Sequence, residues 1–210
     1  MYTGFSLERI IYGIMWAVVV LFALSIHEMA HGFAAYKLGD PTAKYDGRLS
    51  LNPLRHLDPI GALSMLLFGF GWAKPVMVNP NYFKNFKRDS AITALAGPLS
   101  NIIVAYIGML LWVHLLPVAN STYLAIFLRI FITLNINLAV FNLIPIPPLD
   151  GSKIFLHLLP PRIYYEIMRY ERFGFIILII ALGLGVLSPI LSFFNSIITL
   201  ILQFLAGGGI

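Results

Sequence analysis

Five consecutive residues, His27-Glu28-Met29-Ala30-His31, carry the densest chemistry in this chain of 210 residues. Residues four apart share one face of a helix, so both imidazoles can bind one metal ion while Glu28, one step round, reaches a water held there. Imidazole nitrogens suit zinc, and a carboxylate beside the metal is placed to take a proton from that water. With five His and four Glu in the whole sequence, chance places this pattern in about two of a thousand such chains. The bland alternative is a polar patch between helices or an interfacial His pair. Three ionisable groups in five residues of an apolar stretch are costly, however, and call for a partner such as a metal. His27 precedes Lys37, the first basic residue of the loop that follows, by ten positions. At 1.5 Å per residue the site therefore lies roughly 15 Å along the helix from the polar boundary, within the thickness of a bilayer.

Two His ligands leave a tetrahedral zinc one protein ligand short, with a further position open for water. His56 sits in a proline-flanked polar loop and reads as a solvated histidine. His114 lies near the far end of another apolar run, and His157 follows a proline cluster on a short amphipathic stretch. Asp150 is better placed. It ends the charge-free run Ile130 to Leu149 within Asn142-Leu143-Ile144-Pro145-Ile146-Pro147-Pro148-Leu149-Asp150-Gly151. Prolines that break a helix, then an acid and a glycine for a sharp turn, would swing a carboxylate back toward the interior. The alternative is an ordinary Asp-Gly turn at a membrane exit.

The elements that must hold these groups follow from composition. The chain is 59% apolar and 11% charged, with no cysteine, which excludes a soluble domain, a disordered chain and a disulfide scaffold. It reads as a single all-α integral membrane domain over residues 1–210, a polytopic bundle of about four to six transmembrane helices. The first span includes the uncharged Ile10 to Ile26 and continues as helix toward Tyr36. Ser90 to Leu128 is uncharged and too long for one crossing, and Pro117 to Ser121 divides it, giving spans over 91–116 and 122–144. Residues 152–159 form a short helix. The C-terminal hydrophobic segment 173–206 is interrupted at Ser188-Pro189 and forms either one kinked helix or two short ones. Gly61 to Ala73 is apolar but too short to cross, so a re-entrant or β-hairpin segment is predicted near residues 61–80.

The net charge of +5 does not indicate nucleic acid, because the basic residues fall in loops and not along a face. Eight of the fourteen Lys and Arg lie between Lys37 and Arg88, and Arg162, Arg169 and Arg172 form a second block. Both basic loops belong on the cytoplasmic side, which puts the N-terminus outside. The first apolar run ends in His-Glu and lacks a small-residue cleavage site, unlike a removable signal peptide.

Three blocks in order resemble the site-2 proteases, the intramembrane zinc metalloproteases of regulated proteolysis. They are His27 to His31, then Ala96-Gly97-Pro98-Leu99-Ser100-Asn101, and Asn142 to Gly151, which fits the N-x-x-P-x-P-x-L-D-G pattern throughout. Gly71 to Pro80 also looks like the segment that precedes the second span in that family, and coverage runs over about residues 20–155. The resemblance implies a catalytic core at about residues 7–155 and one zinc per chain. It implies His27, His31 and Asp150 as zinc ligands and Glu28 as catalytic base. Asn142 would contact the substrate backbone or oxyanion. Asn101 would bind substrate as well, or else hydrogen-bond a neighbouring helix. The Gly61 to Pro80 segment would receive an unwound substrate strand by edge pairing. The compact length suggests a form without PDZ or nucleotide-sensing domains.

The implied activity is hydrolysis of peptide bonds in or near transmembrane helices of membrane-protein substrates. Its setting is the lipid bilayer of a prokaryotic plasma membrane, with the site toward the cytoplasm and with a regulatory membrane partner or oligomer as a further possibility. Two alternatives come from other classes. A metal or proton transporter would place His and acidic groups on several spans. An inactive scaffold of the same fold would have no need of Glu28.

Overall fold

A computed structural model describes residues 7–61, 64 and 74–208. The first helix, α1 (Leu7–Lys37), runs 31 residues, about 46 Å, and exceeds the span a hydrocarbon core requires. It stops where Gly39 takes φ +112, a left-handed conformation that a Cβ would strain. Asp40 is fully buried just beyond. Its carboxylate accepts hydrogen bonds from Thr42 N at 2.9 Å and Asn79 N at 2.7 Å, which pins residues 74–79 against the end of α1. Residues 74–79 form neither helix nor strand, and no strand occurs among the described residues. Most of the re-entrant hairpin expected at 61–80 lies outside the described residues.

Helix α2 (Phe86–Ala119) is opened by a reciprocal cap. Asn85 Oδ1 accepts from Arg88 N while the Asp89 carboxylate accepts from Asn85 N at 2.9 Å. The helix widens to a π turn over Leu111–Leu115, directly before Pro117. Pro117 has no N–H for the carbonyl four residues back and its ring crowds that carbonyl, which accounts for the local widening. Asn120, at φ 44, and the N-cap Ser121 then reverse the chain into α3 (Thr122–Asn142). The division expected at Pro117 to Ser121 is therefore present, and the spans are a few residues longer or shorter than predicted.

After the prolines at 145, 147 and 148 come α4 (Asp150–Leu156), α5 (Pro161–Arg169), α6 (Glu171–Gly183) and α7 (Ser188–Leu205). The C-terminal segment is thus two helices. Gly185 at φ +70 sits in the break, and the first of the pair, at 13 residues, is shorter than a crossing.

Four helices, α1, α2, α3 and α7, are long and apolar enough to span a membrane. Helix α2 packs against α1, α3, α4 and α7, and α1 also packs against α3. Small residues permit this. A Cβ on Gly108 would stand 2.8 Å from the Phe131 ring and 2.9 Å from Ile132. Ala105, Met109, Ile132, Ile136, Val140 and Leu202 form the buried core. The outer faces carry Ile14, Val18, Ile103, Ile107, Leu200 and Phe204, apolar and exposed as a lipid-facing surface requires.

Candidate metal centre

The metal-binding residues expected from sequence come together. His27 and His31, one turn apart on α1, are 3% and 9% exposed, and Asp150 at the start of α4 reaches them from 123 positions downstream. His27 Nε2 and His31 Nε2 each lie 3.1 Å from Asp150 Oδ2 and 3.0 Å from one another. Among the described residues these three form the cluster able to hold a metal ion. His56, expected to be solvated, is instead buried, with Nε2 at 2.7 Å from Ser50 O, but it stands outside the cluster with His114 and His157. Its loop folds back on itself, which sequence polarity alone does not reveal.

The opposite nitrogen of each imidazole is engaged. His31 Nδ1 donates to Thr93 O at 2.7 Å, and His27 Nδ1 lies 2.6 Å from Asn101 Oδ1. A carbonyl oxygen only accepts, so the hydrogens sit on Nδ1 and both Nε2 atoms turn lone pairs inward. Two nitrogen lone pairs and a carboxylate oxygen then face one another at about 3 Å in a buried site, an arrangement that repels unless a cation binds it. Neighbouring ligands on zinc bonds of about 2.0–2.1 Å stand about 3.3 Å apart, so the spacing fits that ion.

Gly97 of α2 packs over the pair. A Cβ there would fall 2.7 Å from His27 Cε1 and closer still to the His31 ring. Gly97→Ala should therefore lower zinc affinity at least about tenfold, read by chelator competition, because the held imidazoles have little room to yield. Helix propensity alone, about 1 kcal/mol in favour of alanine, predicts the opposite sign for stability.

Gly151 has a different reason from the sharp turn expected of it. It lies inside α4, and a Cβ would strike the backbone carbonyls of Leu143 and Ile144. Close approach of α4 to the end of α3 sets Asp150 in place.

Beside the cluster, Glu28 Oε2 accepts a hydrogen bond from Val76 N at 2.8 Å. A cavity of about 740 Å³ opens here, lined by His27, Glu28, His31, Val76, Asn142 and Asp150 among others. Asn142 is half-buried, with Nδ2 donating to Leu138 O at 2.9 Å. Asn101 is not on this cavity; it is fully buried behind His27. Sequence reasoning did not single out Thr93, Gly97 or Val76 as site residues. Two of them act through backbone atoms, which leave no side-chain signature, and the third acts by lacking a side chain.

The family described as Peptidase family M50 matches residues 113–187, the stretch that carries Asn142 to Gly151. "Putative zinc metalloprotease YwhC" of Bacillus subtilis is 42% identical over 185 residues, 83% of this chain and 84% of that protein. "Putative zinc metalloprotease Rip2" of Mycolicibacterium smegmatis is 28% identical over 77% of this chain and 64% of its own length. "Putative zinc metalloprotease MJ0611" of Methanocaldococcus jannaschii is 30% identical over 61% of this chain and 62% of its own. No solved structure matches the chain significantly. Similarity to YwhC across most of both proteins, the M50 match and the His-His-Asp cluster agree, and the chain belongs to the zinc-dependent Peptidase family M50, the site-2 proteases.

Proposed function

We propose that this protein is an intramembrane zinc endopeptidase that cuts transmembrane segments of other membrane proteins in regulated proteolysis. The observation that carries this reading is the convergence of His27, His31 and Asp150 beside Glu28, ten residues inside a 31-residue apolar helix. A transport pathway would string such groups along several spans, whereas among the described residues they are gathered in one cluster.

In this reading His27 Nε2, His31 Nε2 and Asp150 Oδ2 would hold the zinc. Zinc held there would supply Lewis acidity toward the scissile carbonyl and toward a water. Glu28 takes the proton from the attacking water and delivers it to the leaving amide nitrogen. Val76 N–H donates to Oε2, which holds the carboxylate in place while its remaining lone pairs stay free for the proton transfers. Asn142, one amide hydrogen already committed to Leu138 O, offers its second hydrogen and Oδ1 to the substrate backbone. A substrate helix satisfies its own backbone in lipid, so it must unwind locally before any bond is exposed to Glu28.

Residues 7–155 form the catalytic core within one membrane-embedded domain, and 173–206 flank it. The two basic loops, Lys37 to Arg88 and Arg162 to Arg172, support a plasma-membrane orientation with the site toward the cytoplasm.

Mapping new N-termini in membranes from cells that express the unmodified chain or Glu28→Gln tests the proposal. The expected termini depend on Glu28 and lie within, or at the cytoplasmic edge of, apolar segments of about 20 residues. Termini confined to soluble loops, or common to both proteins, would overturn it. The Val76 contact gives a separate expectation. Val76→Pro removes the donor to Glu28 and should slow cleavage about 10- to 100-fold while zinc content, measured on the same sample, stays unchanged.

A further inference from the structure

A line of buried amides leads from the metal centre to the backbone of two helices. Asn101 on α2 and Asn135 on α3 are both 0% exposed and stand among apolar neighbours in the bundle core. Phe131 O is a backbone carbonyl and only accepts, so the end of Asn135 that faces it at 2.8 Å is Nδ2. Asn135 Oδ1 therefore faces Asn101, 2.9 Å from its Nδ2. The same Nδ2 donates to Ala23 O on α1 at 3.1 Å. With both amide hydrogens committed, Asn101 turns Oδ1 toward His27 Nδ1, 2.6 Å away. An amide oxygen accepts, so His27 carries its hydrogen on Nδ1 and its lone pair on Nε2, the atom that faces Asp150 and His31.

We propose that Asn101 and Asn135 are positioning residues, a two-amide relay anchored on the α1 and α3 backbone that fixes His27 in the Nδ1–H tautomer and presents Nε2 to zinc. The consequence for metal binding rests on the zinc site proposed above; the orientation of His27 does not. The two imidazoles are held differently. A single backbone carbonyl, Thr93 O, sets His31, whereas His27 is set through two side chains that only agree when three helices are in register. Helix α3 supplies none of the three metal-binding side chains, yet through Asn135 it helps decide which nitrogen of His27 is free. Either amide, turned over, would set donor against donor or acceptor against acceptor in a buried site, so one arrangement of the whole line is strongly preferred.

The experiment uses the full chain purified in detergent. Nitrogen-15 NMR of labelled histidine, on metal-free protein at about pH 8, where an ordinary imidazole is neutral, reads the His27 tautomer, assigned with His27→Gln. Competition with a chromophoric chelator reads zinc affinity in the unmodified protein, Asn101→Leu and Asn135→Leu. The expected result is Nδ1–H at His27 in the unmodified protein and a mixed tautomer in both variants. Zinc affinity should fall about 10- to 100-fold in Asn101→Leu and about tenfold in Asn135→Leu, although Asn135 touches none of the three ligands. An Nε2–H tautomer in the unmodified protein overturns the proposal without recourse to any variant. So does retention of Nδ1–H in both variants with zinc affinity within about twofold of the unmodified protein. If the unmodified protein binds no zinc while the tautomers behave as expected, the relay stands and the zinc site falls.

Discussion

Glu28→Gln is expected to abolish peptide cleavage while the purified protein keeps about one zinc per chain. The side chain keeps its size, and a Gln oxygen still accepts the hydrogen bond that Val76 N gives to Glu28 Oε2. What disappears is the capacity to take a proton from water and return it to the leaving nitrogen. Loss of a positioned acid–base group costs about 10²- to 10⁴-fold, enough to take product below detection. Elemental analysis beside a cleavage assay checks both halves. Loss of zinc along with activity would make Glu28 a metal ligand or a structural residue, contrary to its place outside the donor cluster.

Asp150→Ala should remove both. With it goes the only carboxylate in the cluster, leaving His27 Nε2 and His31 Nε2 facing each other at 3.0 Å. Two imidazoles fall below the three protein ligands that catalytic zinc sites use, so zinc content should drop to background and cleavage with it. The helix that Asp150 opens should survive, since an acid in the first turn contributes only about 0.3–1 kcal/mol. Retention of zinc in a folded Asp150→Ala protein would require the third ligand to lie elsewhere. The pair of substitutions therefore separates proton transfer from metal binding on the same preparation.

Much of this site was legible in the residues. The spacing of His27 and His31 follows from helical periodicity, and Glu28 beside them needs no tertiary information. The reversal at Pro117 to Ser121 is equally local, because a missing N–H and a left-handed Asn120 act within a few residues. Asp150 was legible by its setting, a carboxylate after a proline-broken apolar run, although the reason for Gly151 was not. The sequence pattern suggested a turn, whereas the actual constraint is the approach of α4 to the Leu143 and Ile144 carbonyls. Such a contact depends on where two segments meet, and side-chain type does not report it.

Asn101 marks the same boundary. Its residue type and its position in an Ala- and Gly-rich stretch mark a polar group in a membrane span, and two roles were open to it. Only the fold, by setting Asn135 and Ala23 O against one side and His27 against the other, turns it away from the cavity. Val76 is a still harder case, since its contribution to Glu28 is a backbone N–H that every residue except proline possesses. By itself the sequence determined the membrane class, the principal helices and the three donor residues that come together, because hydrophobic runs, proline and ionisable groups act locally. Tertiary structure alone decided which atoms of those side chains face one another. Orientation at a buried site is set by hydrogen-bond partners scores of residues away, and in lipid no water is present to stand in for a partner that is missing.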